Sequence, residues 1–376
     1  ELGVGDGVER AGGEAVAQPQ RTEPVGELAR RLAGEGQGQD VAGVEVGTVT
    51  LISGDGPLVP GRGPVRTGVT AVLPRGRARA AVPCAAGYYS LNGNGEMTGV
   101  AWIEESGELQ TPITITNTHS CGVTRDATIR WLVSRAIGTG QAWGLPVAAE
   151  TYDGDLNDIN GFHVTAEHAI AALDGARGGP VELGSVGGGT GMICYDFKGG
   201  NGSASRVVTI AGECYTLGVF LQANFGAREQ LTILGVPIGR HITRDKLRGK
   251  DQGSVIVLVA TDAPLLAHQL KRIARRVPMG LARTGTVGNN GSGDIFLAFS
   301  TANEGAFAAR GGGRRPMDWL PNDSLDALFN ATVAAVEEAV VDAMLVNDTM
   351  VGRDGNRAIA LPCDEVVALI RAAGRL

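Results

Sequence analysis

The sequence lacks most of the short motifs that mark well-known chemistries. No H-E-x-x-H, no P-loop ending in Lys-Ser or Lys-Thr and no G-x-S-x-G nucleophile elbow is present. These absences disfavour a zinc protease, a P-loop nucleotidase and an α/β-hydrolase. The five cysteines are odd in number, widely scattered and never spaced as C-x-x-C. That pattern argues against a zinc knuckle or a disulfide framework and favours thiols in a reducing compartment.

Clusters of positive charge and long apolar runs are missing too. The formal net charge is −7, and no Lys/Arg-rich run has interleaved aromatic residues. Nucleic acid and anionic membranes are therefore disfavoured as partners. No apolar run approaches the roughly 18 residues of a membrane span, and the first residues have no apolar segment typical of a signal peptide. We expect a cytoplasmic protein that does not bind a membrane.

Glycine, in contrast, is abundant, with 58 of 376 residues. The glycines cluster between apolar runs and lack the collagen period, which predicts tight turns and close backbone packing. Residues 1–40 show little periodicity and are interpreted as a loose N-terminal arm with one short helix. Residues 41–376 show neither a compositional break nor an internal repeat. We expect them to form a single α+β domain in which helices cover a core of strands.

Hydrophobic periodicity places the main elements. Alternating or continuous apolar residues predict strands at residues 41–52, 206–212, 215–224, 255–260 and 294–301. Helical spacing predicts helices at 124–137 and 324–345, and another that Asp262 caps. In the helix at 124–137, the residues expected to face inward are Ile129, Leu132, Val133 and Ile137.

The pair Gly253-Ser254 stands where a charged linker meets the fully apolar run Val255 to Ala260. It has two interpretations, a simple turn or a nucleophile held by a buried strand. If the peptide bond before Ser254 breaks, the serine gains an α-amine whose ordinary pKa is about 7.7–8.0. That amine is a general base that needs no histidine. Gly253 leaves the scissile carbonyl open to attack.

A second constellation, Ser292 and Asp294, stands directly before another apolar strand. Alternation puts the two side chains on one side of an extended chain. A hydroxyl and a carboxylate in that arrangement can orient a nucleophile and hold its ammonium group. The alternative is a Ser/Asp turn that satisfies local backbone N–H groups.

At these residues the sequence resembles a known family. Eight segments in the family's order, across about residues 41–370, carry the resemblance. They include "TLISGDGPLVPGRGPVRTGVTAVLPRG", "ETYDGDLNDINGFHV", "VGGGTGMICYDFKGG", "QANFG", "GSVIVLVATDAPL" and "GNNGSGDIFLAFSTAN". They are similar to the DmpA-type self-cleaving serine aminopeptidases, which comprise L-aminopeptidase/D-esterases and β-peptidyl aminopeptidases.

The resemblance implies an α+β fold, a four-layer α-β-β-α sandwich like that of N-terminal nucleophile hydrolases but with different connectivity. It also implies self-cleavage between Gly253 and Ser254, which yields chains 1–253 and 254–376. The cleaved αβ units of such proteins commonly assemble, so we expect a homo-oligomer. Neither a metal nor a cofactor is expected.

The resemblance further assigns roles to individual residues. Ser254 is the expected nucleophile, which Ser292 and Asp294 orient and activate. Asn224, in "QANFG", is expected to bind the oxyanion, and Tyr152, in "ETYDG", is expected near the reacting carbonyl. For the free amine of a substrate, the candidate carboxylates are Asp294, Glu150 and those of the "WIEES" segment.

The predicted function is therefore a self-processing serine aminopeptidase. It releases N-terminal residues from short peptides, amides or esters through an acyl-enzyme on Ser254. L-aminopeptidase and β-peptidyl aminopeptidase specificity both stay open, because pocket shape decides between them. An acyltransferase similar to ornithine acetyltransferase is a further alternative, although that family uses threonine where this chain has Ser254. The last alternative is a non-catalytic relative of the family that stays uncleaved.

Overall fold

The structure is a computed structural model that describes residues 26, 28, 41–135, 143–248, 253–309 and 311–376. Most of the expected N-terminal arm, residues 1–40, lies outside the described residues. Gly26 and Leu28 are helical, and the fully buried Leu28 belongs to the largest hydrophobic core. The division at residue 40 stays a prediction.

Besides the helical residues Gly26 and Leu28, the described residues form fourteen strands and nine α-helices. The strands are β1 (Glu45–Ser53), β2 (Val65–Leu73), β3 (Cys84–Gly93), β4 (Glu108–Leu109), β5 (Ile113–Asn117), β6 (Val147–Thr151), β7 (Ile193–Cys194), β8 (Phe197–Lys198), β9 (Gly200–Ile210), β10 (Glu213–Asn224), β11 (Ser254–Thr261), β12 (Gly293–Ser300), β13 (Met350–Val351) and β14 (Arg357–Ala358). The helices are α1 (Val100–Ser106), α2 (Cys121–Ser134), α3 (Ala166–Asp174), α4 (Ile238–His241), α5 (Ala267–Ala274), α6 (Val277–Arg283), α7 (Glu304–Ala308), α8 (Asp326–Leu345) and α9 (Cys363–Ala372).

Two sheets contain the longer strands. One sheet has the order β1-β2-β5-β6, and the other has the order β4-β3-β12-β11-β10-β9. In the larger sheet, β11 pairs antiparallel with β10 and parallel with β12. β11 is therefore a central strand, and its eight residues are all buried. This burial explains its continuous apolar run, because both faces of the strand pack against protein.

Three hydrophobic cores separate four layers. Ile115 of the smaller sheet packs with Ile256 and Leu297 of the larger sheet, which fills the space between the sheets. On the outer face of the larger sheet, Val257 packs with residues of α5, α6, α8 and α9. On the outer face of the smaller sheet, Ala71 packs with residues of α2 and α3. The predicted four-layer α-β-β-α sandwich is confirmed.

Helix α2 is present but buries a different face from the one predicted. It begins at Cys121 rather than at residue 124, and its buried residues are Cys121, Thr124, Ala127, Thr128 and Trp131. Val133 is 53% exposed, Ile129 and Leu132 are only partly buried, and Ile137 lies outside the described residues. The prediction favoured large aliphatic side chains. Small residues face inward because α2 packs against α3 and the smaller sheet, and the indole N–H of Trp131 donates to Asp174.

Asp262 does not cap a helix as predicted. Its Oδ1 accepts from the backbone N–H of Thr216 at 2.7 Å and so extends the contact between β10 and β11 by one residue. Helix α5 begins only at Ala267, and Gln269 accepts from the backbone N–H of Leu266 at its start. The loop after β11 is therefore longer than the hydrophobic pattern indicated.

Candidate active site

Ser254 is the first residue of the central strand β11 and is 5% exposed. The residues after it alternate between two cores. Val255 and Val257 face the helices, and Ile256 faces the other sheet. Each buried aliphatic side chain contributes about 1.5–3 kcal/mol relative to an exposed one. The strand can therefore hold its first residue firmly in place.

Strand pairing brings the expected site residues around Ser254. Asn224, the last residue of β10, is its direct partner across the antiparallel pair. Gly293, the first residue of β12, is its partner across the parallel pair. Ser292 and Asp294 flank Gly293 in sequence, so they lie beside the start of β11. The structure thus brings together residues that are far apart in the sequence.

The Asn224 side chain is fully buried and held at both ends. Its Oδ1 accepts from the backbone N–H of Ile193 at 2.9 Å and from Nη2 of Arg248 at 3.2 Å. Its Nδ2 donates to the carbonyl oxygen of Tyr152 at 2.8 Å. An amide nitrogen has two hydrogens, so this bond leaves the second for another acceptor.

Ser292 and Asp294 form a buried pair, as alternation predicts. The Ser292 hydroxyl donates to Oδ1 of Asp294 at 2.6 Å, and Nδ2 of Asn92 donates to Oδ2 at 3.0 Å. The two residues are 1% and 3% exposed, respectively. The hydrogen bonds from Ser292 and Asn92 offset part of the cost of burying this polar carboxyl group.

The side chains around Ser254 divide between the two faces of the larger sheet. Alternation along β11 puts the Ser254 side chain on the face that packs against the other sheet, together with Ile256. Alternation along β12 puts Asp294 on the opposite face, together with Phe296. Asp294 is therefore better placed to contact the backbone nitrogen of Ser254 than to contact the Ser254 hydroxyl.

Tyr152 directly follows β6, and its backbone carbonyl group lies beside Asn224. Its carbonyl oxygen binds Asn224, and its side chain is 36% exposed. The phenol lies over Gly154, where an added Cβ would be 2.4 Å from the Tyr152 Oη. Burial and the neighbouring Asp155 raise the pKa of Tyr152. The phenol is therefore protonated at neutral pH and can donate a hydrogen bond.

Glu150, the fourth residue of β6, is 3% exposed. Its carboxylate accepts from the backbone N–H of Glu96 at 2.9 Å and from the Thr118 hydroxyl. A Cβ on Gly95 would lie 3.3 Å from Oε1 of Glu150 and 3.2 Å from Cα of Gly293. Glu150 is therefore close to the strand partner of Ser254. Burial raises the pKa of Glu150.

A cavity of about 210 Å³ lies against Asp294 on the helix-facing side of the larger sheet. It is smaller than the roughly 300–1,000 Å³ typical of ligand pockets. Its lining residues are Leu91, Phe225, Pro278, Leu281, Ala282, Thr286, Val287, Gly288 and Asp294. Among the expected site residues, Asp294 alone lines it. The cavity therefore does not mark where the Ser254 hydroxyl meets a substrate.

Sequence reasoning missed Arg248 and Asn92. Arg248 belongs to the charged linker before Gly253, where a basic side chain is expected to be exposed, yet the residue is only 9% exposed. Asn92 is near the end of β3, in the sequence "LNGNG", where nothing favours one polar residue over another. Only the folded arrangement brings these side chains to Asn224 and Asp294.

A comparison with known proteins identifies the family to which this chain is related. Residues 39–358 match Peptidase family S58. The chain belongs to peptidase family S58. This S58 peptidase is 50% identical over 352 residues to the β-peptidyl aminopeptidase BapA of Sphingosinicella microcystinivorans, and the match covers 90% of this chain and 88% of the relative. Membership confirms the predicted class, a self-processing serine aminopeptidase, which is a hydrolase that acts on peptides.

Solved structures agree with the fold of this S58 peptidase. The L-aminopeptidase D-Ala-esterase/amidase of Ochrobactrum anthropi, described as a variant of the Ntn hydrolase fold, matches with a TM-score of 0.84 and 47% identity. That match covers 89% of this chain and 93% of the other. The PH0078 protein of Pyrococcus horikoshii matches with a TM-score of 0.88 and 42% identity, over 93% of this chain and 99% of the other. Among the described residues, no helix is long and apolar enough to cross a membrane.

Proposed function

We propose that Ser254 is the nucleophile of this peptidase and that cleavage of the Gly253–Ser254 bond creates it. The observation that carries the proposal is the position of Ser254. It begins a buried central strand between Asn224 and Gly293, in a chain of a self-processing family. A cut at this bond frees an amine on a residue that the core holds in place.

Self-cleavage begins when the Ser254 hydroxyl attacks the carbonyl carbon of Gly253. The bond from this carbon to the Ser254 nitrogen breaks, and the nitrogen takes a proton and becomes the α-amine. An ester between Gly253 and the Ser254 oxygen remains, and water hydrolyses it to free both chains. The oxygen that becomes negative needs a donor, and the second N–H of Asn224 supplies it.

Substrate hydrolysis repeats this chemistry in the mature enzyme. The Ser254 α-amine accepts the hydroxyl proton as the oxygen attacks the carbonyl of the substrate's N-terminal residue. Asp294 holds the resulting ammonium group, and Ser292 fixes the carboxylate through its 2.6 Å hydrogen bond. The Tyr152 phenol is a further donor near the reacting carbonyl. The bond from the carbonyl carbon to the leaving nitrogen or oxygen breaks, and the leaving group takes the proton from the ammonium group. Water then attacks the acyl-enzyme, a proton returns to the Ser254 oxygen, and the free acid is released.

Glu150 is the carboxylate that best suits recognition of the substrate's free amine. It lies near Gly293, and its two hydrogen bonds come from Thr118 and the backbone of Glu96 rather than from a basic side chain, while the nearby His119 acts on it only through its charge. Asp294 is already bound to Ser292 and Asn92. In the "WIEES" segment, Glu104 pairs with Lys271 and Glu105 is exposed on α1. We therefore assign the amine to Glu150.

Short peptides, amino-acid amides and esters are the proposed substrates. L-aminopeptidase and β-peptidyl specificity both have support, because relatives with each activity in their names share 47% and 50% identity with this chain. Initial rates on matched L-, D- and β-aminoacyl p-nitroanilides test this choice. A higher kcat/KM for β-aminoacyl substrates assigns the β-peptidyl activity. Hydrolysis of an N-acetylated substrate as fast as the free amine would contradict an aminopeptidase.

We also propose that the cleaved units form a homo-oligomer. Several large apolar side chains are exposed, among them Trp143 at 71%, Phe162 at 63% and Trp319 at 54%. Such residues are enriched at protein interfaces. Light scattering of the purified enzyme measures the mass, and a value equal to one chain would contradict assembly. The cytoplasmic location stays a prediction.

A further inference from the structure

Arg248 has a buried side chain with three polar partners. Its Nε pairs with Oδ2 of Asp155 at 2.6 Å, and its Nη2 donates to Oδ1 of Asn224 at 3.2 Å. Its Nη1 lies 3.4 Å from the carbonyl oxygen of Ile193. One guanidinium group thus bridges three acceptors, a geometry that its planar fork of donors allows and a lysine does not.

Hydrogen bonds also hold the backbone of Leu247 and Arg248 in place. The N–H groups of Leu247 and Arg248 both donate to Oδ1 of Asp196, at 3.0 and 2.9 Å. The Arg248 side chain is 6% exposed and that of its partner Asp155 is 22% exposed. This anchor lies five residues before Gly253 in the sequence. It therefore fixes Arg248 beside Asn224, the strand partner of Ser254.

The contact with Asn224 has a chemical consequence. Two donors, one of them charged, point at Oδ1 of Asn224, so the amide nitrogen must point the other way, toward the carbonyl oxygen of Tyr152. Hydrogen bonds accepted by an amide oxygen polarise the group and strengthen its N–H donors. A charged donor has a larger effect than a neutral one.

We infer that Arg248 is a positioning residue for both self-cleavage and peptide hydrolysis, and that it acts through the Asn224 amide. The inference rests on the proposed function, in which Asn224 stabilises the oxyanion. Arg248 itself does not touch the reacting atoms. It orients and polarises the donor.

Arg248→Met should slow self-cleavage, followed by intact-mass spectrometry of freshly purified precursor, by about tenfold or more, as expected for loss of a charge-assisted hydrogen bond. In the cleaved enzyme, kcat should fall by a similar factor while KM changes little. Arg248→Lys should be intermediate. Arg244→Met is the matched control, because Arg244 lies in the same segment but pairs with Glu365 on the surface. It should cleave at the wild-type rate.

A double-mutant cycle separates positioning from general stabilisation. If Arg248 acts through Asn224, Arg248→Met should have little further effect on the cleavage rate in an Asn224→Ala background. The time course is continued until the slowest variant is measurably cut. Full additivity of the two effects would overturn the inference, and so would wild-type rates in Arg248→Met. Wild-type kcat in Asn224→Ala would instead overturn the oxyanion assignment.

A loss of folding is measured separately, from the melting temperatures of Ser254→Ala with and without Arg248→Met. If the methionine variant does not fold, the same rates are measured on Arg248→Lys.

Discussion

Asn224 and Ser254 are direct partners across the antiparallel pair of β10 and β11, with the last residue of one strand facing the first residue of the other. Both side chains alternate onto the face that packs against the smaller sheet. The hydroxyl and the amide are thus held by the same strand pairing that builds the core. The site needs no flexible loop to bring these two groups together.

Gly253 is required by packing as well as by chemistry. A Cβ at this position would lie 1.5 Å from the carbonyl oxygen of Asn224 and 2.8 Å from Cα of Phe225. Gly253→Ala should therefore displace the scissile bond from Asn224 and slow cleavage by about a hundredfold, the effect of roughly 1 Å of misplacement. Mass spectrometry over time measures the rate. Gly122→Ala is the control, because nothing lies within 4 Å of its added Cβ. Equal rates for the two variants would contradict this explanation.

Asp294→Asn should lower kcat and change the pH profile. The proposed ammonium group on Ser254 loses a neighbouring negative charge, which favours the neutral amine. The acid limb of kcat/KM should therefore move to lower pH, although the maximal rate is lower. Asp348→Asn, an exposed substitution, should leave the profile unchanged. An unchanged acid limb in Asp294→Asn would show that this carboxylate does not contact the amine.

Glu150→Gln should separate substrate binding from self-cleavage. The neutral amide loses the charge that attracts a free amine, so KM for aminoacyl p-nitroanilides should rise by about tenfold or more, typical of a broken charged hydrogen bond. Self-cleavage should continue, because Gly253 presents no free amine. In the wild type, burial raises the pKa of Glu150, so KM should increase as the pH falls and this carboxylate is protonated. A KM equal to that of the wild type would exclude Glu150 as the amine ligand.

The buried carboxyl group of Asp153 should cause the free energy of unfolding to decrease as the pH rises. Burial raises the pKa of Asp153 to about 7, whereas in the unfolded chain it is about 3.9. The folded state therefore holds a proton that the unfolded state releases, and stability is lost between about pH 4 and pH 7. Asp153→Asn in the uncut Ser254→Ala background should remove this part of the dependence and be the more stable variant at pH 8. Urea unfolding at pH 5 and pH 8 measures both. An identical loss of stability with pH in the two proteins would contradict the prediction.

The sequence predicted which candidate residues the fold brings together better than it predicted the surroundings of those residues. Ser254, Ser292 and Asp294 are candidates because each stands where a polar turn enters an apolar strand, and family motifs added Asn224 and Tyr152 as candidates. Arg248 could not be found, because one arginine in a charged segment looks exposed until the fold places Asp155 and Asn224 beside it. The prediction of the buried face of α2 was wrong because helix packing there favours small residues over large aliphatic ones.

Intact-mass spectrometry of the purified wild-type protein and of Ser254→Ala tests the central claim most directly. The wild type should separate into two species whose masses correspond to residues 1–253 and 254–376, with Ser254 as a free N-terminus. Ser254→Ala should stay a single chain without peptidase activity. A wild-type protein that hydrolyses aminoacyl substrates while uncut, or that is cut at another bond, would contradict the account.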